Sequence, residues 1–209
     1  MCTRFYVQPT TAPSIIKKAR RTALAEQFLV KLAKPTDMTG DIRPMDLAAV
    51  IAPDKKGGIA AFPMMWGFHV PQYTAPIVNT RLETAPEKPL WSDSWLHRRC
   101  VIPASWYYEW ERIRMSNGKE KAGTKYMIQP KGAESIWLAG LYRFEEYQGI
   151  QVPVFSVVTM PSSSSVRQLH DRMPLILPET CVIEWVSSKG NPARLAKYAK
   201  SDMIIERAV

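Results

Sequence analysis

Cys2 combines two groups whose chemistry sets it apart from the other cysteines of this chain. Removal of Met1 would expose the Cys2 α-amine beside its own thiol. Free α-amines have a pKa of about 7.7–8.0 and cysteine thiols one of about 8.5, so both groups are partly deprotonated near neutral pH. The amine can add to an aldehyde to give a Schiff base, and the thiol can then close a thiazolidine ring. Because one residue carries both nucleophiles, the second step is intramolecular, with an effective molarity of roughly 10⁵ M or more.

Polar side chains that could take part in chemistry also occur in four later segments. The segments are WGFHVP at 66–71, NTRLET at 79–84, RRCVIPASWYYEW at 98–110 and LHDRMPLIL at 169–177. Glu109 lies among four aromatic residues, where burial would suit a carboxyl group to proton transfer. Asn79 with Arg81 also fits a capped turn with a solvated charge, and a lone histidine such as His170 is more often structural than catalytic. Each segment alone leaves both interpretations open.

Several kinds of site are excluded by residue spacing. The three histidines and the three cysteines are widely separated, and no Cys-x-x-Cys pair typical of a zinc site occurs. The chain also lacks the GxGxxG and GxxxxGK[ST] motifs of nucleotide-binding loops and the GxSxG motif of α/β-hydrolases. We therefore expect neither a metal ion nor a cofactor.

The charge balance favours a polyanionic partner. The 209 residues include 28 Lys plus Arg against 19 Asp plus Glu, a net charge of +9. Such an excess points first to nucleic acid, although a basic enzyme without such a partner fits equally well. No apolar run of about 18 residues occurs, and no secretory signal is expected. Three distant cysteines argue against a disulfide framework, so we expect a cytoplasmic protein, associated with the nucleoid if the source is bacterial.

The apolar patterning predicts the elements that must position these side chains. Two apolar runs within 46–68 flank a Pro-Asp-Lys-Lys-Gly-Gly turn and predict a β-hairpin. Helices are predicted over at least the second half of 14–33, within 86–97 and from Pro161 onward. Aromatic and β-branched runs such as WYYEWERI predict strands. Many strands mixed with short helices favour an α+β fold with a mainly antiparallel sheet or barrel, in one domain over residues 1–209.

The segments together resemble a known family. Cys2 with Arg4, then WGFHVP, NTRLET, RRCVIPASWYYEW, LAGLY and LHDRMPLIL, occur in an order and spacing that resemble the SRAP family, named after the SOS response-associated peptidase. The resemblance extends from residue 2 to about residue 180. It implies one compact domain with a β-rich core, flanking helices and a basic groove for single-stranded DNA. It also implies that Met1 is removed and that Cys2 bonds covalently to the ring-opened aldehyde of an abasic site.

The resemblance further implies a set of catalytic residues. Carried over by motif, they are Cys2, Asn79, Glu109 and His170. Glu109 would move protons at the amine and carbinolamine stages, and His170 would assist opening of the sugar ring. Asn79 would orient Cys2 or the sugar by hydrogen bonding, and nearby cations would lower the pKa of the thiol.

A second set of residues would bind the DNA. Its members are Arg4, Trp66, Gly67, Arg81 and Arg172. Guanidinium groups suit phosphates because they donate in a planar fork, and we expect Arg4 and Arg81 to hold the phosphates beside the lesion. Trp66 could stack on a base, a contact worth about 1–3 kcal/mol, although core packing is the ordinary role of such a side chain.

The sequence departs from the family pattern at three points and leaves alternatives open. It has Cys-Thr-Arg where Cys-Gly-Arg is common, Trp106-Tyr107 where Gly-Phe is usual, and Thr80 where alanine is usual. None of these departures removes a proton-transfer group. A cysteine peptidase acting mainly on its own Met1 and a non-covalent single-strand binder remain alternatives, with lyase activity as a further possibility. We expect the protein to act as a monomer.

Overall fold

Strands make up most of the protein. The computed structural model describes residues 2–115 and 117–208. The strands are β1 (Phe5–Val7), β2 (Gly40–Ile42), β3 (Leu47–Pro53), β4 (Ile59–Trp66), β5 (Asn79–Arg81), β6 (Arg99–Ala104), β7 (Trp106–Arg114), β8 (Glu120–Pro130), β9 (Ile136–Tyr147), β10 (Ile150–Pro161), β11 (Arg172–Pro174), β12 (Ile176–Leu177) and β13 (Met203–Arg207). The α-helices are α1 (Pro13–Arg20), α2 (Ala23–Leu32), α3 (Ser92–His97), α4 (Val182–Val186) and α5 (Pro192–Leu195). In the described part of the chain, no helix combines the length and the apolar character needed to cross a bilayer.

One set of strands closes into a barrel. The ring runs β10-β4-β3-β6-β9 and returns to β10, and its pairs are antiparallel except β10 with β4. Six of the seven β3 residues are buried, as a strand covered on both faces requires. Trp66, at the end of β4, is completely buried in this core. The mainly antiparallel barrel with short helices confirms the α+β prediction.

A second sheet receives the beginning of the chain. Its order is β13-β8-β7-β1-β2, so β1 lies between two other strands. Phe5 pairs with Tyr107 of β7, and the pairing continues toward the N-terminus because the Tyr108 N–H donates to the Arg4 carbonyl at 2.9 Å. Phe5 is fully buried. The first strand therefore holds Cys2 beside the strand that carries Glu109.

The local predictions were confirmed in part. β3 and β4 form the predicted hairpin, and the Asp54 carboxylate in its turn accepts from the Lys56 and Gly58 N–H groups. The helical segment within 14–33 is two helices, because Thr22 caps α2 by accepting from the Ala25 N–H at 3.1 Å. The helix predicted from Pro161 is wrong. β10 continues to Pro161 by pairing with β11, and turns follow at 164–169.

Arg99 ties two helix ends to the barrel. Its side chain is buried, and the guanidinium donates to the carbonyl groups of Trp95, Leu96, Trp185, Ser187 and Gly190. The first two carbonyls lie near the end of α3 and the others at or beyond the end of α4. Helix C-termini carry partial negative charge, which stabilises a cation placed there. One planar side chain thus satisfies several buried acceptors at once.

We expect Arg99→Lys to lower the free energy of unfolding by about 2–4 kcal/mol, because an ammonium cannot reach the same fan of carbonyls and leaves buried acceptors unpaired. Urea unfolding monitored by tryptophan fluorescence measures the change. Arg98→Lys is the matched control, since Arg98 pairs with Asp93 at the surface, and its effect should stay within about 0.5 kcal/mol. Equal losses in the two variants would contradict the role given to Arg99.

Candidate active site

Cys2 is held by two hydrogen bonds, one to its backbone carbonyl and one from its thiol. The Asn79 side-chain amide donates to the Cys2 carbonyl at 2.8 Å. The Cys2 thiol lies 3.6 Å from the Arg4 carbonyl oxygen, the same oxygen that accepts the Tyr108 N–H of β7. Cys2 is fully buried. The Arg4 carbonyl therefore links the Cys2 thiol to the backbone of β7.

Glu109 is the charged centre of this pocket. It is 6% exposed, and its Oε1 accepts from the Trp110 N–H at 3.3 Å. Burial raises the pKa of the Cys2 thiol to about 12, and the Glu109 charge adds to the rise. A nearby positive charge does act to lower this pKa, but burial outweighs it and Arg4 is paired with Asp41, so the expected net lowering does not occur. The Cys2 thiol is thus protonated at neutral pH.

His170 lies at the same centre and is neutral. Its pKa is lowered by burial and further by the charge of Arg112, while Glu109 opposes the shift. The Arg112 guanidinium contacts its Nε2, and the Arg172 backbone N–H donates to its Nδ1 at 3.0 Å. An Asp171 carboxylate oxygen lies 2.6 Å from the same Nδ1.

Strand β5 positions Asn79 and Arg81. It pairs in parallel with β10, and its central residue, Thr80, points into the core, where its hydroxyl donates to Ser156 at 2.9 Å. Alternation along a strand then directs Asn79 and Arg81 to the opposite face. Asn79 is half-buried and reaches Cys2, whereas Arg81 is exposed. Among the described residues, no side chain lies within hydrogen-bond distance of the Arg81 guanidinium.

Two other arginines of the predicted DNA-binding set are occupied within the protein. Arg4 forms a two-pronged ion pair with Asp41, and both side chains are about one-quarter to one-third exposed. Arg172 is buried and donates to both carboxylate oxygens of Glu83, at 2.6 and 2.9 Å, and to the Thr159 carbonyl at 2.7 Å. The assignment of Arg172 to DNA binding is therefore corrected, because its donors hold β10 and the segment after β5 together.

Trp66 and Gly67 shape the core and the loop behind the site. Trp66 donates its indole N–H to the Val78 carbonyl at 3.0 Å and stacks against Phe155, with no exposed surface. The prediction that Trp66 stacks on a base is wrong for this reason. Gly67 has φ of +121°, and a Cβ there would lie 2.6 Å from the Pro76 Cβ. Only glycine fits this turn, so Gly67 allows the loop before β5 to pack closely against the end of β4.

Two polar residues of the pocket were missed by sequence reasoning. Arg112 contacts His170, but the pairing of β7 with β8 shifts register between Trp110 and Arg112, so simple alternation does not predict its face. Tyr107 is fully buried two residues before Glu109. Its pKa is raised by burial and further by the charges of Cys2 and Glu109. Side chains two residues apart on a strand lie on the same face, so the position of Glu109 could have pointed to Tyr107.

A model of the family described as SOS response associated peptidase (SRAP) matches residues 1–206. The chain belongs to the SRAP family. The resemblance carried by the five sequence motifs is thereby confirmed. The match covers nearly the whole chain, from the segment with Cys2 that precedes β1 to the last strand, β13.

Curated SRAP relatives share moderate identity with this chain. The abasic site processing protein YoaM of Bacillus subtilis is 32% identical over 115 residues, which cover 54% of this chain and 48% of that protein. The abasic site processing protein YedK of Escherichia coli is 24% identical over 143 residues, covering 68% of this chain and 62% of that protein. The matched part is thus about half the length of the Bacillus relative.

Solved structures share the SRAP fold of this chain at low identity. A crystal structure of a protein from Bacteroides thetaiotaomicron has a TM-score of 0.74 at 18% identity, covering 100% of this chain and 92% of that one. A protein from Bordetella bronchiseptica has a TM-score of 0.70 at 17% identity, with both chains covered completely. These likenesses concern the fold alone.

We expect Glu109→Gln to lower the pKa of the Cys2 thiol, because it removes a negative charge that favours the protonated form. The ¹³Cβ chemical shift of selectively labelled Cys2, followed by NMR up to pH 10.5, measures the change. The wild-type signal should hardly titrate in this range, whereas the variant should begin to. Glu111→Gln, on the same strand, is the control and should leave the Cys2 titration unchanged. A Cys2 pKa unchanged or raised in Glu109→Gln would contradict the assignment.

Proposed function

We propose that this chain processes abasic sites in single-stranded DNA by forming a thiazolidine crosslink between Cys2 and the aldehyde of the lesion. The observation that carries the proposal is the burial of Cys2 in a pocket with Asn79, Glu109 and His170, the four residues of the family motifs. Relatives such as YoaM and YedK are named abasic site processing proteins, which supports the lesion class.

The reaction begins at the amine of Cys2. Met1 lies outside the described residues, and its removal, by the protein itself or by an aminopeptidase, must come first. The amine nitrogen then bonds to the aldehyde carbon, the carbonyl electron pair moves to the oxygen, and that oxygen takes a proton to give a carbinolamine. Loss of the hydroxyl as water gives an imine. The sulfur bonds to the imine carbon, the thiol proton leaves and the nitrogen gains one, so one water is released overall.

Glu109 suits the proton transfers of this sequence. It shares the pocket with Cys2, so it can accept the amine proton as the carbinolamine forms and return a proton to the departing hydroxyl. At the last step it can take the proton of the thiol, whose raised pKa keeps it protonated until then. A buried carboxylate thus performs each transfer in turn.

Neutral His170 suits the opening of the sugar. The closed sugar opens when its C1 hydroxyl loses a proton and its ring oxygen gains one, and a neutral imidazole can exchange both. The Nε2 of His170 would become available once Arg112 turns to a DNA phosphate, a better acceptor than an imidazole. The Arg172 backbone N–H, which donates to Nδ1 at 3.0 Å, holds the ring in this orientation.

The state of the thiol favours this chemistry over general peptide hydrolysis. A cysteine peptidase needs a thiolate as its first nucleophile, and a thiol with a pKa of about 12 supplies very little at neutral pH. Crosslinking begins instead at the amine, so a protonated thiol does not delay the first step. Cleavage of other proteins by a Cys2 thiolate is therefore disfavoured.

The phosphates of the strand would be held mainly by exposed cations. Arg81 lies on the face of β5 that also directs Asn79 toward Cys2, and no internal acceptor competes for its guanidinium among the described residues. The net charge of +9 would attract a polyanion at longer range. Arg4 would contribute less, because its bonds to Asp41 already offset its charge.

We expect wild-type protein lacking Met1, verified by intact mass, to give a heat-stable shifted band with single-stranded DNA bearing one abasic site on a denaturing gel. Cys2→Ser should abolish the band, because a serine hydroxyl cannot close a thiazolidine. Cys181→Ser, which alters a partly exposed cysteine away from the pocket, should keep it. Absence of a band with the wild type would disprove the proposal, and an undiminished band with Cys2→Ser would move the chemistry to another residue.

We expect Arg81→Gln to weaken binding to single-stranded DNA severalfold at moderate salt and to reduce the slope of log K against log salt by about 0.7, the value for one phosphate contact on a single strand. Fluorescence anisotropy with labelled DNA at several salt concentrations measures both quantities. Lys189→Gln, which also removes one exposed charge, serves as the control and should change neither appreciably. Equal effects from both changes would mean that Arg81 acts only through net charge.

A further inference from the structure

The Tyr107 hydroxyl is a buried polar group that the fold does not use. The residue has no exposed surface, and no hydrogen-bond partner of its Oη lies among the described residues. Nearly all buried polar groups in proteins are hydrogen-bonded, and leaving one unpaired costs about 1–3 kcal/mol. Phenylalanine would fill the same space without this cost. A stability role alone does not explain the hydroxyl.

The hydroxyl belongs to the pocket of Cys2. Tyr107 and Glu109 are two residues apart on β7, so their side chains leave the same face of the strand. The Cys2 thiol lies against that part of β7 through the Arg4 carbonyl that it shares with the Tyr108 N–H. Glu109, and Cys2 when it is ionised at high pH, both raise the pKa of Tyr107, which agrees with this position. Three side chains with exchangeable protons therefore meet at one place.

The neighbouring tyrosine has a different environment. Tyr108 leaves β7 on the opposite face, where the Lys125 ammonium lies 3.6 Å from its ring centroid and the Arg4 guanidinium 5.8 Å away. Its ring thus stabilises surface cations. The contrast between two adjacent tyrosines supplies a matched pair of hydroxyl groups, one inside the pocket and one outside.

We propose that the Tyr107 hydroxyl donates a hydrogen bond to the oxygen of the substrate aldehyde while the Cys2 amine adds to it, an inference that rests on the function proposed above. As the N–C bond forms, the carbonyl electron pair moves to that oxygen, and a donor held in a dry pocket stabilises the developing negative charge. Tyr107 keeps its own proton throughout. The proton that completes the carbinolamine hydroxyl comes from the amine by way of Glu109.

The electrostatics of the pocket suit this donor. Burial and the neighbouring negative charges raise the pKa of Tyr107 well above its ordinary value, so the hydroxyl stays protonated over the whole working pH range. The oxygen of a bound aldehyde would also give the hydroxyl the acceptor that the protein does not provide. The cost of burying it is then recovered when the substrate is bound and as charge develops.

The test compares Tyr107→Phe with Tyr108→Phe in protein lacking Met1. Under single-turnover conditions at saturating DNA, Tyr107→Phe should form the crosslink about 10- to 100-fold more slowly, whereas Tyr108→Phe should keep the wild-type rate. Affinity for DNA that carries a tetrahydrofuran analogue, which has no aldehyde, should be unchanged in Tyr107→Phe. Its thermal unfolding temperature should stay equal or rise, because the unpaired hydroxyl is gone.

A second readout locates the affected step. Cyanoborohydride traps the imine, and in Tyr107→Phe no trapped imine should accumulate beyond the wild-type level, since the slowed step precedes it. Accumulation of trapped imine would overturn the proposal by assigning the hydroxyl to ring closure. A wild-type rate in Tyr107→Phe, or a slower rate accompanied by lost stability or affinity, would also overturn it. If the wild type itself forms no crosslink, the proposed function fails and this inference fails with it.

Discussion

The candidate site depends on one long-range constraint, the insertion of β1 between β2 and β7. This pairing carries the first residues of the chain into the interior of a sheet, where the Arg4 carbonyl accepts from Tyr108 and aligns Cys2 with Glu109. The hydrogen bond from Asn79 then fixes the Cys2 carbonyl from the barrel side. A chain terminus is ordinarily mobile, so this double anchoring is what allows a terminal residue to be positioned as accurately as a residue within a strand.

Charge is arranged so that the pocket contains one carboxylate among neutral groups. The Glu109 charge favours protonation of Cys2, Tyr107 and His170, while burial keeps the thiol and hydroxyl protonated and the imidazole neutral. Of the cations near the pocket, Arg4 is paired with Asp41 and Arg172 with Glu83, whereas Arg112 contacts His170 and lies 3.7 Å from Glu120. Under the proposed function, Glu109 and the neutral His170 imidazole would then act as proton acceptors beside groups that keep their own protons.

The sequence predicts much of this arrangement through local patterns and the resemblance, and fails where long-range packing decides. The turn residues at 53–58 predict the β3–β4 hairpin, and the order of the motifs predicts that Cys2, Asn79 and Glu109 share a site. No local pattern reveals that Trp66 is enclosed by the barrel or that Arg172 is paired with Glu83, because both depend on strands distant in sequence. The serine-rich segment after Pro161 has helix-capping residues, yet pairing with β11 extends β10 up to Pro161, and turns at 164–169 follow in place of a helix.

The unpaired polar atoms of the pocket indicate how stability and reactivity are balanced. Besides the Tyr107 hydroxyl, the side-chain carbonyl oxygen of Asn79 is buried and has no hydrogen-bond partner among the described residues, although its amide holds Cys2. A core built for stability alone would avoid such atoms, and native proteins tolerate them mainly at functional sites. The Asn79 oxygen and the Tyr107 hydroxyl both belong to residues that neighbour Cys2, and both are positioned by the fold itself. Under the proposed function, the free energy lost by leaving them unpaired would be regained when a bound substrate supplies both a hydrogen-bond donor and an acceptor.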